Sequence, residues 1–216
     1  MDGTIYALSS APGRAGVAVV RVSGPGAVEV VERIAGLLPA PRKAALRTLT
    51  GADGAAIDTA LVLWFPAPAS FTGEDVAEFH IHGGRAVVER VFAEIAGLPA
   101  TRPAEPGEFT RRAVENGKLD LTQAEALIDL IDARTEGQRR QALRQYGGAL
   151  GALYESWRER LIMALAWAEA EIDFSDEDLP ADIGVRARKE LSVIIEEIQT
   201  YLDDSRRGEI VREGLF

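Results

Sequence analysis

The sequence contains no cysteine. Disulfides, thiolate zinc sites and cysteine nucleophiles are excluded together, and the absence suits a reducing compartment. Histidine is scarce: His80 and His82 are the two present, so a site built on several imidazoles is excluded as well. No apolar run reaches the roughly 18 residues of a membrane-spanning helix, and the first residues lack the basic, apolar and small-residue blocks of a secretory signal. The expectation is a soluble, cytoplasmic protein without membrane association. A phosphate-cradling G-x-x-x-x-G-K-[ST] loop needs a lysine before Ser or Thr. Lys43, Lys118 and Lys189 are followed by Ala44, Leu119 and Glu190, so no such loop exists in this chain. A formal charge of −10 argues against a broad nucleic-acid surface that tracks phosphates, although a local basic patch is compatible with it.

What is present is ordinary globular composition: 216 residues, 47% hydrophobic and 27% charged, enough for one sizeable domain or two small ones. To about residue 118 short elements alternate. "TIYALSS", "GVAVVRVS", "AALRTLT", "DTALVLWFP" and "VAEFHIHGG" read as strands, with "GADG" as a hairpin signal. "PGAVEVVERIAGLLP" reads as a helix with Val28, Val31, Ile34, Leu37 and Leu38 on one stripe, and "GRAVVERVFAEIAGL" as another. This pattern predicts an α+β domain with a mixed or antiparallel sheet. From about Leu119 the period is helical. "LTQAEALIDLIDARTEGQRRQALRQ" reads as one long helix opened by a Thr122–Glu125 capping box. "ALYESWRERLIMALAWAEAEIDF" and "RARKELSVIIEEIQTYLDDSRRGEIVR" read as two more, separated by the acidic loop "SDEDLPADIG". Wide apolar stripes on three helices predict an all-α, incomplete bundle.

Several residues carry chemistry. In "GVAVVRVSGPGA" Arg21 interrupts a buried apolar strand, so it either snorkels from the strand end or meets an anion, because burying an unpaired guanidinium is costly. In "EFHIHGG" strict alternation puts Glu78, His80 and His82 on one face and Phe79 and Ile81 on the other. That face suits a polar pocket edge, a solvated surface or, less well, a metal, since the remaining ligands would have to be carboxylates. In "FTGEDV" Thr72 and Asp75 are placed to bond local backbone amides. Lys118 follows the helix-stopping Gly117 at the junction of the two halves, as a solvated group or a site residue. The carboxylates of "EAEIDFSDED" lack calcium-ligand spacing.

Taken in order, "TIYALSSAPGRAGVAVVRVSGPGA", "LWFPAPASFTGEDVAEFHIHGG", "PGEFTRRAVENGKLDLTQAEALIDLIDARTE" and "EAEIDFSDED" closely resemble the bacterial tRNA-modification GTPase family called MnmE or TrmE. The resemblance implies a tetrahydrofolate-binding and dimerisation domain over residues 1–118 and the first half of a helical domain over 119–216. It also implies that "RRGEIVREGLF" leads towards a GTPase insert, where the family's GTP, Mg²⁺ and K⁺ sites lie. The family positions that contact the folate match Arg21, Glu78 and Lys118, with 5-formyltetrahydrofolate or a related tetrahydrofolate as the ligand. No catalytic residue and no metal ligand is implied in this chain. Glu105 departs from the arginine common before Pro-Gly-Glu-Phe in the family, and His80 falls where the family varies. The implied partners are a second copy of the chain, the FAD-dependent MnmG (GidA) protein and tRNA. The implied reaction installs a carboxymethylaminomethyl-type group at C5 of wobble uridine 34. A free-standing folate-dependent aminomethyl or formyl transferase and a non-catalytic dimerising scaffold are the alternatives.

With no lysine placed to reach β- and γ-phosphates, the 216-residue chain is expected to show no GTP turnover. Potassium-stimulated release of phosphate by the purified chain above a mock preparation would contradict this.

Overall fold

In the computed structural model, residues 3–173 and 182–203 are described. Most of "SDEDLPADIG" and all of "RRGEIVREGLF" lie outside the described residues, as does the end of the third helical segment. The chain divides into two compact units, Met1–Leu119 and Asp120–Phe216.

In the first unit six strands form one mixed sheet: β1 (Thr4–Leu8), β2 (Ala15–Ser23), β3 (Ala45–Thr50), β4 (Ala56–Phe65), β5 (Val76–Gly83) and β6 (Thr101–Pro103). Their order is β3-β4-β5-β2-β1-β6, with β1–β6 parallel and the other pairs antiparallel. Period-2 alternation gives the sheet a closed and an open face. Val20, Val22, Phe79, Ile81 and Val62 point to the closed face, where α1 (Ala27–Ala35) adds Val30, Val31 and Ile34 and α2 (Arg85–Ala96) adds Val91 and Ile95. Tyr6 and Phe92 meet edge to face at 5.2 Å. The first helix is shorter than the apolar stripe suggests. Gly36 adopts φ 75° and ends it, so Leu37 leaves the stripe and is exposed, while Val30 is buried in its place.

The helix α3 (Glu108–Glu115) is unusual in burying charge: Glu108, Arg112 and Ala113 are its buried residues. Arg112 is 1% exposed and donates to Gly3 O at 3.1 Å, to both carboxylate oxygens of Glu74 at 3.1 and 3.0 Å, and to Glu108 Oε1 at 3.1 Å. Glu108 also accepts from Arg102 Nη1 at 2.8 Å and from the Glu105 N–H at 2.8 Å. Ser23 Oγ completes the set by donating to Glu74 Oε2 at 2.7 Å. This network joins α3 to the start of β1, the end of β2 and the loop before β5.

The second unit is all helical: α4 (Leu121–Asp132), α5 (Glu136–Tyr146), α6 (Ala149–Asp173) and α7 (Ile183–Leu202). The segment that reads as one long helix is two, because Ala133 is extended (φ −58°, ψ 121°) and Thr135 starts a new helix. The Gln138 side chain accepts from the N–H groups of Arg134 and Thr135 while Thr135 Oγ1 accepts from the Gln138 N–H, a reciprocal box that satisfies otherwise orphaned donors. The cap of α4 is likewise displaced from Thr122–Glu125 to Asp120–Gln123, where a carboxylate one residue before the helix is a better N-cap than a hydroxyl inside it. Along α6 and α7, Arg160 bridges Glu190 and Glu197, and the Trp157 indole N–H donates to Glu197 at 2.8 Å. Ile131, Leu165, Ile172 and Ile195 remain exposed.

The Glu108 carboxyl sits at about 2 instead of its ordinary 4.5. The Arg102 hydrogen bonds hold it there chiefly, against the opposing effect of burial, with the Glu105 N–H and Arg112 adding to them. The folded value lies below the unfolded one, so the stability it contributes is complete above about pH 4.5 and is lost as the pH falls towards about 2. The difference corresponds to about 3 kcal/mol. Glu108→Gln is expected to lower the melting temperature at neutral pH and to flatten the acid limb of the stability profile in that window. An acid limb identical to the wild type in urea titrations would contradict this.

Candidate functional site

Arg21 is not at a strand end. It lies within β2, paired in register with Ala7 of β1 and with Glu78 of β5, on the open face between the buried Val20 and Val22. Its guanidinium meets the carboxylate across the strand pair: Nε and Nη2 lie 3.0 and 2.8 Å from Glu78 Oε1. Above it stand two rings, Phe71 and Phe109, with centroids 5.2 and 5.8 Å from Cζ. Rings at this distance attract a cation and strip water from it, so the ion pair is held in a half-buried setting. Glu78 Oε2 takes a second contact from His80 Nε2 at 3.3 Å.

The two histidines share a face, as alternation requires, but part company. His82 Nδ1 lies 2.7 Å from Asp58 Oδ1 on β4, and its ring is 72% exposed. Among the described residues no group of three His, Asp or Glu side chains is arranged to hold a metal ion.

Lys118 reaches the same region by a different route. After α3 the N–H groups of Gly117 and Lys118 donate back to Val114 O and Ala113 O at 3.0 and 2.7 Å, turning the chain. Asn116 Nδ2 donates to Thr72 O at 2.7 Å, which ties this turn to the loop before β5. Gly73, at φ 81°, is where the two segments touch: a Cβ there would lie 3.1 Å from Asn116 Cβ and 3.2 Å from Lys118 Cγ. The loop itself is braced by the Asp75 carboxylate, which accepts from the Ala67 N–H at 2.8 Å, and by Thr72 Oγ1, which accepts from the Glu74 N–H at 3.3 Å.

The result is a cleft of about 460 Å³ lined by residues that include Glu78, Lys118, Arg42, Phe65 and Phe71. The structure thus brings Glu78 and Lys118 to one cleft, with Arg21 behind Glu78 as its ion-pair partner rather than in the lining. Arg42, Phe71 and Phe109 were not legible as site residues, because nothing in their local sequence marks them. Arg112 was missed too. Its one sequence signal is the i,i+4 spacing from Glu108 on a helix too poor in apolar residues to dock by apolar contact alone. Glu105, the departure from the family pattern, is exposed and pairs with Arg111 at 3.1 Å.

Chemically the cleft offers one carboxylate for a ligand with paired N–H donors, aromatic walls for a flat ring, and cations for carbonyl or carboxylate oxygens. Its volume lies within the usual range for small-molecule sites.

Comparison with known proteins gives the parentage. Residues 4–118 match the sequence model described as GTP-binding protein TrmE N-terminus, and residues 121–216 match that of the MnmE helical domain. The tRNA modification GTPase MnmE of Phenylobacterium zucineum is 59% identical over 214 residues, covering 99% of this chain and 48% of that protein. Those of Parvibaculum lavamentivorans and Rhodospirillum rubrum are 57% and 54% identical over 98% of this chain, and it covers 49% and 50% of them. The chain spans about half the length of the curated relatives it matches. It belongs to the MnmE (TrmE) family, matching its N-terminal domain over residues 4–118 and its helical domain over residues 121–216.

Proposed function

We propose that this chain is the folate-binding and self-associating part of a tRNA-modification GTPase. The observation that carries the reading is the Arg21–Glu78 pair bordering a cleft that also receives Lys118. These residues come from β2, β5 and the turn after α3, far apart in sequence, and a reduced folate has the groups to meet them. Its pterin edge presents an amino group and a ring N–H, which suit Glu78 bidentately. Its carbonyl and tail carboxylates suit Lys118 and the neighbouring guanidinium groups. Phe65 and Phe71 supply apolar walls. When bound, the folate supplies a one-carbon unit. The chain's own part is to orient the pterin through Glu78, hold that carboxylate in place through Arg21, and exclude water with Phe71 and Phe109. In the whole protein this domain would act with a GTPase domain that uses GTP, Mg²⁺ and K⁺, an FAD-dependent MnmG-type partner and tRNA. The product would be a carboxymethylaminomethyl-type group at C5 of the wobble uridine.

Arg21→Ala and Glu78→Gln are each expected to weaken binding of 5-formyltetrahydrofolate by about 2 kcal/mol, the scale of a charge-assisted hydrogen bond. Both variants should fold, because the pair lies on the open face and not in the apolar core. Calorimetric titration with circular dichroism as a folding control checks this. Unchanged affinity in Arg21→Ala would reduce the pair to a cross-strand ion pair without a ligand.

Self-association has its own support. The open face exposes Val17, Leu46 and Leu61, the last two directly paired across β3 and β4, and exposed apolar patches tend to be covered by partners. The chain is expected to be dimeric by light scattering at tens of micromolar, and Leu61→Glu should shift it towards monomer. A monomeric wild type would overturn this part of the reading.

A further inference from the structure

The cleft beside Glu78 holds more positive charge than its own carboxylate can match. Among the other arginines of the first unit, Arg85 pairs with Glu89, Arg90 with Asp53 and Glu94, Arg102 and Arg112 with Glu108, and Arg111 with Glu105, whereas Arg14, Arg33 and Arg47, outside the cleft lining, form no ion pair with a described residue. Glu78, the single acid in the cleft lining, is already engaged by Arg21 and His80. Arg42 and Lys118, both in that lining, form no ion pair with any described residue. Two unmatched cations in one cleft stand out in a chain of net charge −10.

Arg42 is also held in place in a way that a solvated arginine does not need. Its backbone has φ 60°, a left-handed conformation that is unfavourable outside glycine. Its N–H donates to Trp64 O at 2.8 Å. Its guanidinium donates to Ala69 O and lies over the Phe65 ring, 5.8 Å from the centroid. One carbonyl contact leaves most of the five N–H donors free for a bidentate acceptor. Phe65 pairs with Val76, two residues along β5 from Glu78, a separation of roughly 7 Å. The carboxylate from β5 and the guanidinium anchored over Phe65 are therefore separate charged groups of the cleft lining.

We propose that Arg42, with Lys118, receives the carboxylates of an acidic tail on the cleft's ligand, which on the folate reading above is the glutamate end of the molecule. Glu78 then reads the ring end and Arg42 the tail end, so that Arg42 sets a preference for tail-bearing over tail-less pterins. The inference rests on the folate reading, and the two fail differently.

The test is calorimetric titration of the 216-residue chain and its Arg42→Ala and Arg42→Lys variants with three probes: 5-formyltetrahydrofolate, its triglutamate form and a tail-less 5-formyl-tetrahydropterin. Arg42→Ala is expected to weaken the two tail-bearing ligands about tenfold, the low end for a charge-assisted contact, with the loss confined to them. Arg42→Lys should recover part of it, since an ammonium keeps the charge without the bidentate fork. Equal affinity of wild type and Arg42→Ala for 5-formyltetrahydrofolate would overturn the proposal while leaving the folate reading intact. An equal loss for the tail-less pterin would overturn it in favour of a structural role. A wild type that binds none of the probes would overturn both. Loss of tRNA binding in Arg42→Ala with folate affinity unchanged would overturn it and assign Arg42 to a phosphate.

Discussion

A guanidinium cannot be left alone in a protein interior, and the arrangement around Arg112 follows from that constraint. Removing one partner of a buried pair costs about 3–5 kcal/mol, because the other charge then stays buried without a counter-ion. Arg112 therefore dictates where Glu74, Glu108 and Gly3 O must be. Glu74 belongs to the loop that carries Phe71 and Gly73, and Glu108 begins the helix that carries Phe109 and leads to Lys118. Satisfying one buried charge thus fixes the two segments that border the cleft. Arg112 itself forms no hydrogen bond or ion pair with Arg21 or Glu78 and is not part of the cleft lining; it holds the segments that border the cleft.

The site proper uses charge differently. In the Arg112 network every carboxylate is matched, and the result is rigidity. In the cleft Glu78 is largely covered and its cationic neighbours outnumber it, so the local balance leaves a surplus of donors. Polar groups that serve only the fold tend to be satisfied internally. Groups poised for a ligand are left with capacity, and the aromatic rings of Phe65, Phe71 and Phe109 supply the apolar surroundings in which that capacity is strong.

In the helical unit, end effects decide more than periodicity does. Apolar residues are frequent from Leu121 to Ile131 and absent from Arg134 to Gln141, and the backbone breaks at Ala133, where the Thr135–Gln138 box stabilises a fresh helix start. Along α6 and α7 the buried small and apolar residues Ala164, Gly184, Ala187 and Ile194 are joined by the Arg160 bridge to Glu190 and Glu197, while many other apolar residues of these helices stay exposed.

Much of this molecule is determined by the sequence alone. Strand alternation in "VAEFHIHGG" put Glu78 on the face opposite Phe79 and Ile81, because successive side chains on a strand must point to opposite faces, whereas "GVAVVRVS" reads as a continuous buried run and only the structure shows Val17 exposed and Arg21 on the open face. The absence of cysteine and of a lysine before Ser or Thr excluded whole classes of chemistry, and the shift from period 2 to helical period near Leu119 separated two kinds of structure. Which strands become neighbours is another matter. That Arg21 faces Glu78, that Arg42 from a connecting loop and Lys118 from a helix end reach one cleft, and that Arg112 is buried at all depend on strand order, on register and on contacts between residues tens of positions apart. Local sequence carries no record of such contacts, because each residue type is equally at home on a solvated surface until the fold supplies its partner.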